Sequence, residues 1–205
     1  GSPRILRVAE ELVIHTDSVV PQADLTAFVN EFQRVAPLTI GELWALPILA
    51  DYVQTRYDSS NMTVVSPDAG RVRVADLWAD KLGTPLAIIH KRRDPNEANR
   101  VRVHEVVGAV EGRTCLVVDD MIDTAGTITQ AAGALLASGA AEVLVTATHA
   151  VLSGPAVDRL KNSRICEVVV TNTLPIPEDR RFDKLTTLSI APLIIRSSQA
   201  ICQAI

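Results

Sequence analysis

The 205-residue chain has only three cysteines, Cys115, Cys166 and Cys202, too far apart for CxxC or Cys/His ligand spacing. That argues against a disulfide framework and against a zinc cluster, and it fits a reducing cytoplasm. No apolar run reaches the roughly 18 residues needed to span a bilayer, and the N-terminus lacks a signal-peptide pattern, so no membrane partner is expected. Positive charge is also short. Twenty Lys and Arg against 24 Asp and Glu leave a net charge of −4, which argues against nucleic acid as the main partner but leaves room for a local patch that binds a small anion. The motif Gly-x-x-x-x-Gly-Lys-Ser/Thr occurs nowhere, which weakens a P-loop reading. What is present, 47% hydrophobic and 21% charged residues, suffices for one full domain or one domain plus an appendage.

The most informative stretch is Val117 to Ile128, where an apolar strand meets two carboxylates, Asp119 and Asp120, and a small-residue turn, Asp123-Thr124-Ala125-Gly126-Thr127, opens a helix. Carboxylates repel phosphate but accept hydrogen bonds from sugar hydroxyls and hold Mg²⁺, whereas unpaired N–H groups at a helix start attract anions. One loop therefore suits both ends of ribose 5-phosphate. Thr124 and Thr127 add hydroxyl donors, and Ala125 and Gly126 are small enough for a phosphate to approach the backbone. An acidic pair after an apolar strand also occurs in receiver domains, in Walker B strands and at plain solvated strand ends. The Asp-Thr-Ala-Gly-Thr continuation and the position past mid-chain favour the sugar-phosphate reading.

From Met62 onward, short β-branched runs alternate with helical patterns. Strands are expected at 63–66, 86–90, 115–118, 143–148, 168–171 and 185–189, and helices near 74–82, 128–138, 155–162 and 192–205. This predicts an α/β fold, a parallel sheet with helices on both faces whose ligands sit at the carboxyl ends of the strands. Three features fall at those ends: Ser66-Pro67-Asp68-Ala69-Gly70, His90-Lys91-Arg92-Arg93 and the 119–127 loop. Residues 3–57 instead carry helical periodicity and no obvious strand, which predicts three helices. Pro47 inside the third pattern should kink that helix or divide it into two.

Taken with Val65 to Gly70, Ile89 to Arg93 and Thr148-His149, the 119–128 loop resembles the C-terminal half of the ribose-phosphate pyrophosphokinases, the enzymes that make phosphoribosyl pyrophosphate. Leu152-Ser153-Gly154-Pro155-Ala156, Val169-Val170-Thr171-Asn172 and Leu188 to Leu193 extend the likeness over about residues 47–205. The resemblance implies a type I phosphoribosyltransferase-like fold and transfer of the β,γ-diphosphate of MgATP to the 1-hydroxyl of ribose 5-phosphate. By the same likeness Asp123, Thr124, Ala125, Gly126 and Thr127 would hold the 5-phosphate, Asp119 and Asp120 the ribose hydroxyls, and Asp68 would sit near Mg²⁺. Lys91 and Arg93 match the basic pair of the family's catalytic loop, where cations neutralise charge on the transferred group. His90 and His149 fall at recurrent family positions, for which a structural role is an equal alternative, and Asn99 is a further phosphate candidate. A homo-oligomer is also implied.

The family has a second, N-terminal half that supplies ATP contacts, and the sequence before Pro47 does not resemble it. Ala36 to Pro47 is instead similar to a helical segment of cyclic β-1,2-glucan synthases. The expected organisation is therefore a helical segment over 1–46, outside the kinase family, and a phosphoribosyltransferase-like domain over 47–205. On that reading the ribose 5-phosphate side is complete and ATP binding is weak or absent. The alternative to an active enzyme is an inactive sugar-phosphate-binding module, a chimera without turnover.

Overall fold

Alternating strand and helix runs leave each strand with two apolar faces, and only a sheet covered on both sides buries them. The computed structural model describes residues 39–92 and 103–191, with side chains described for 45–90 and 105–191. Residues 45–189 pack as one unit. A second unit takes in residues 1–44 and 190–205, of which only 39–44 and 190–191 fall among the described residues. The helices expected within 3–38 and over 192–205, together with Arg93 and Asn99, lie outside the described residues.

The elements are α1 (Thr39–Arg56), β1 (Met62–Ser66), α2 (Val72–Leu82), β2 (Leu86–Arg92), β3 (Val103–Val107), β4 (Thr114–Ile122), α3 (Gly126–Ala137), β5 (Glu142–Ala150), α4 (Ala156–Asn162), β6 (Glu167–Thr171) and β7 (Leu185–Leu188). They build a seven-stranded sheet in the order β3-β2-β1-β4-β5-β6-β7, parallel throughout except for the β2–β3 pair. No described helix is long and apolar enough to cross a membrane.

Successive strand residues feed opposite layers. Val64, Leu116, Val118, Leu144 and Val169 pack with α1 and α2 on one face. Val65, Cys115, Val117, Val145 and Val170 pack with α3 and α4 on the other. Each helix joins through a stripe at i, i+3, i+4 and i+7: Ala75, Trp78, Ala79 and Leu82 on α2, and Ile128, Ala131, Ala132 and Leu135 on α3. Burying one such leucine stabilises by roughly 1.5–3 kcal/mol. Gly83 stops α2 in the left-handed region at φ 66°, its N–H donating to the last turn, a conformation that strains any side chain but glycine's.

The six expected strands and the helices expected near 74–82, 128–138 and 155–162 are present, and β3 is an addition. Val103–Val107 runs antiparallel to β2, with His90 beside Glu105 and Arg92 beside Val103, so the sheet is mixed rather than all parallel. As an edge strand with one neighbour, and with Val107 56% exposed, it carries little of the apolar pattern that marks a buried strand. Pro47 does not divide the third helix, because α1 is continuous from Thr39 to Arg56. The missing N–H costs one ladder bond, while Leu46, Leu49, Ala50 and Val53 stay buried against the sheet.

At the amino end of β6, Glu167 accepts hydroxyl hydrogen bonds from Tyr52 (2.7 Å), Tyr57 (2.5 Å) and Thr186 (2.6 Å). Burial pushes this carboxyl up, but the three hydroxyls outweigh it and hold Glu167 below the usual glutamate range. A depressed carboxylate stabilises the fold above its unfolded pKa and loses that contribution as pH falls through the folded one. Glu167→Ala should therefore lower stability by about 2 kcal/mol at neutral pH. In urea titrations at a series of pH values, the gap from the parent protein should narrow once the pH drops below the glutamate range; a gap that stays constant would refute this account.

Candidate functional site

Parallel strands bring their carboxyl-terminal loops to one end of the sheet, and unequal strand lengths make that end a step rather than a plane. Val65 of β1 pairs with Val117 of β4, and β1 stops one residue later. β4 and β5 run on together, with Asp119 beside Ala147, Met121 beside His149 and Ile122 beside Ala150. Residues 119–122 thus border a gap where β1 has ended. The strand continues through the acidic pair to Ile122 rather than ending at it, because β5 keeps pairing alongside.

Strict alternation also slips here. Val117 and Ile122, an odd number of residues apart, pack on the same face, and so do Ala147 and Ala150 of β5. A strand that turns through this slip presents neighbouring side chains to one partner. Arg71 is that partner: its Nε lies 3.3 Å from Asp119 Oδ1, and its Nη2 is ion-paired with Asp120 Oδ2. Arg71 reaches the pair because the chain turns sharply after β1. Asp68 Oδ1 accepts the N–H groups of Gly70 (2.8 Å) and Arg71 (3.2 Å), and Ser66 Oγ donates to Asp68 O at 2.7 Å.

The two carboxylates also tie down their own backbone. Asp119 Oδ1 accepts from Asp120 N–H at 2.9 Å, and Asp120 Oδ1 accepts from Met121 N–H at 2.8 Å. Burial, reinforced by the neighbouring Asp120, pushes the Asp119 carboxyl up to about 7 against the pull of Arg71. His149, opposite Met121 on β5, is buried with its Nδ1 2.8 Å from Thr173 Oγ1, and burial holds its pKa down. Lys91 lies on β2, paired through its backbone with His104 of β3 and separated from β4 by β1. His90 is exposed.

Next along β4 the chain enters the 123–127 turn. Ala125 sits at φ 59°, ψ 8°, left-handed for a non-glycine residue at a cost of about 1 kcal/mol. That turn starts α3 with no side-chain cap, which leaves its first N–H groups for another acceptor at the positive end of the helix dipole. Asp123 and Thr124 are exposed at the turn's entrance.

The turn is held from the β5–α4 side. Leu152 N–H donates to Ile122 O (2.9 Å), Ser153 N–H to Asp123 O (3.0 Å), and Ser153 Oγ to Asp123 Oδ1. Arg159 of α4 donates through Nη1 to Thr124 O at 2.9 Å. A Cβ on Gly126 would sit 3.3 Å from that nitrogen, so a side chain there would crowd the guanidinium. Arg71 and Arg159 are the two site residues that sequence reading missed. The first follows directly on Asp68-Ala69-Gly70, and the second lies inside a helical pattern with nothing to distinguish it.

For a divalent cation, Asp68, Asp119 and Asp120 supply hard carboxylate oxygens, the donor type Mg²⁺ takes. One oxygen of Asp68 is committed to its turn, and among the described residues no three His, Cys, Asp or Glu side chains converge into a cage. That donor set fits an ion that keeps waters and takes further ligands from substrate phosphates.

A carboxyl raised in the fold contributes most below its unfolded pKa and turns costly as pH rises through the folded value. The melting-temperature gain of Asp119→Asn over the parent should therefore be small near pH 4 and grow steadily to about pH 7. Equal gains at both ends of that range, measured by calorimetric melts, would contradict the assigned burial cost.

The phosphoribosyl synthetase-associated domain matches residues 95–204, more than half of the chain. A ribose-phosphate pyrophosphokinase of Streptomyces coelicolor is 64% identical over 197 residues, covering 96% of this chain and 56% of the relative. That alignment necessarily runs through most of residues 1–46, which sequence reading set outside the kinase family. A ribose-phosphate pyrophosphokinase of Mycobacterium tuberculosis is 55% identical over 155 residues, 75% of this chain and 48% of the relative. The crystal structure of phosphoribosylpyrophosphate synthetase from Mycobacterium smegmatis superposes with a TM-score of 0.69 at 50% identity, over 78% of this chain and 51% of that one. The chain spans about half the length of the curated relatives it matches. With an α/β sheet of the expected phosphoribosyltransferase-like kind and a family match over more than half its length, the chain belongs to the phosphoribosyl synthetase-associated domain family.

Proposed function

We propose that this chain forms the ribose 5-phosphate side of a ribose-phosphate pyrophosphokinase. The observation that carries the reading is the juxtaposition, along one strand end, of an acidic pair at the gap beyond β1 and an uncapped helix start held open by Ser153 and Arg159. The first suits the sugar hydroxyls and the second the 5-phosphate, and only three residues lie between Asp119 and Asp123 along a continuous backbone.

In this reading Thr124, Gly126 and Thr127 bind the phosphate through backbone N–H groups and hydroxyls, while Asp123 and Ala125 shape the turn. Asp119 and Asp120 orient the ribose so that its 1-hydroxyl faces the nucleotide. That hydroxyl loses its proton as its oxygen bonds to the β-phosphorus of ATP, and AMP leaves with the electrons of the broken P–O bond. Mg²⁺ neutralises phosphate charge when bound, with Asp68 beside it. Lys91 and Arg93 neutralise charge on the transferred group. The names of the high-identity relatives support this activity; a homo-oligomeric assembly and a place in the cytoplasm are further parts of the proposal.

Ribose 5-phosphate should give saturable calorimetric heat with the chain. Asp123→Ala, which lets go of Ser153, should weaken that binding about tenfold, a loss of about 1.4 kcal/mol. No heat with the parent chain at millimolar sugar phosphate would reject the reading. With MgATP added, AMP and phosphoribosyl pyrophosphate above the level of a Lys91→Ala control mark turnover by this chain. Binding without product marks a sugar-phosphate-binding module.

A further inference from the structure

Two carboxylates that would hold a ribose are, in this structure, held by the protein itself. Arg71 spans both, through Nε to Asp119 and Nη2 to Asp120, while its own N–H is fixed by Asp68 Oδ1. The arrangement is substantially desolvated: the side chains of Asp119 and Asp120 are 15% and 17% exposed, that of Arg71 32%. A guanidinium presents a planar fork of N–H donors, and the partners a carboxylate pair accepts are of that kind: adjacent hydroxyl donors or a cation. We infer that Arg71 is a built-in competitor at this pair, occupying the acidic residues in the unliganded chain and withdrawing when a sugar diol or a divalent cation takes its place.

Several features of the fold suit that role. Arg71 sits where the chain turns after β1, in a short 3-10 turn that leads directly into α2, so its side chain reaches the pair from outside the strands that carry it. Without it, the carboxylates of two adjacent, largely buried residues would be left uncompensated, an arrangement like charges disfavour. The guanidinium therefore stabilises the empty site and lowers its apparent affinity at the same time. Ligand binding must break two charge-assisted contacts, and only ligands that supply donors or charge of their own compensate. An anionic group alone gains nothing at this pair, which separates the sugar end of the site from its phosphate end.

The inference rests on the sugar-phosphate reading of the pair, and its test separates the two. Parent chain, Arg71→Ala and Arg71→Lys are compared by thermal melts in EDTA and in Mg²⁺, and by calorimetry with ribose 5-phosphate. Arg71→Ala should melt lower in EDTA, regain more from Mg²⁺ than the parent does, and bind ribose 5-phosphate about tenfold more tightly. Arg71→Lys, which keeps the charge but loses the fork, should fall between them and serves if the alanine variant folds poorly. A Mg²⁺ response no larger than the parent's, or weaker sugar-phosphate binding in both variants, overturns the inference and makes Arg71 a ligand contact instead. If the parent and variants all ignore ribose 5-phosphate while Arg71→Ala still gains a larger Mg²⁺ response, the sugar reading fails and the competitor role stands.

Discussion

A parallel strand cannot turn straight back on itself, so each one must be followed by a crossover before its neighbour is laid down. Everything functional in this chain follows from that constraint. The crossovers place α2 on the face that α1 also covers and α3 and α4 on the other, and they deliver the turn after β1, the turn after β4 and the loop after β5 to the same end of the sheet. Because β1 ends one residue past the Val65–Val117 pair while β4 and β5 continue to Ile122 and Ala150, that end has a recess. The acidic pair lines the recess, and the start of α3 lies immediately beyond it.

Electrostatics then divides the recess into two halves of opposite preference. At Asp119 and Asp120, buried negative charge is compensated by Arg71, and the residual cost shows in an Asp119 carboxyl that ionises only near neutrality. At the start of α3, uncapped N–H groups and the nearby Arg159 guanidinium make a positive end. A ligand with hydroxyls at one end and a phosphate at the other matches both. The left-handed backbone at Ala125 is the local strain that lets a strand become a helix within so short a turn.

Stability and site chemistry are spatially separated. Glu167, Tyr52, Tyr57 and Thr186 gather at the amino end of β6, away from the carboxyl ends where the acidic pair and the 123–127 turn lie. A carboxylate satisfied by three hydroxyls strengthens the packing of α1 on the sheet. The carboxylates at the opposite end are left costly, as groups that must exchange partners have to be.

The sequence was legible wherever the signal is local. β-branched runs marked six of the seven strands, and the acidic and small residues of the 119–127 loop stood out because they are contiguous in the chain. β3 escaped because an edge strand needs only one apolar side and one partner. The overrun of β4 through Asp119 and Asp120 escaped because pairing with β5, not side-chain hydrophobicity, keeps those residues extended. Arg71 and Arg159 escaped for a different reason: their partners lie 49 and 35 residues away in the chain. Sequence by itself determined the alternating architecture, the family and the residue types of the loop, all properties of short stretches. Tertiary structure alone decided that β1 ends short of β4, that one guanidinium closes the acidic pair, and that α4 braces the turn, because each depends on where separate elements come to rest against one another.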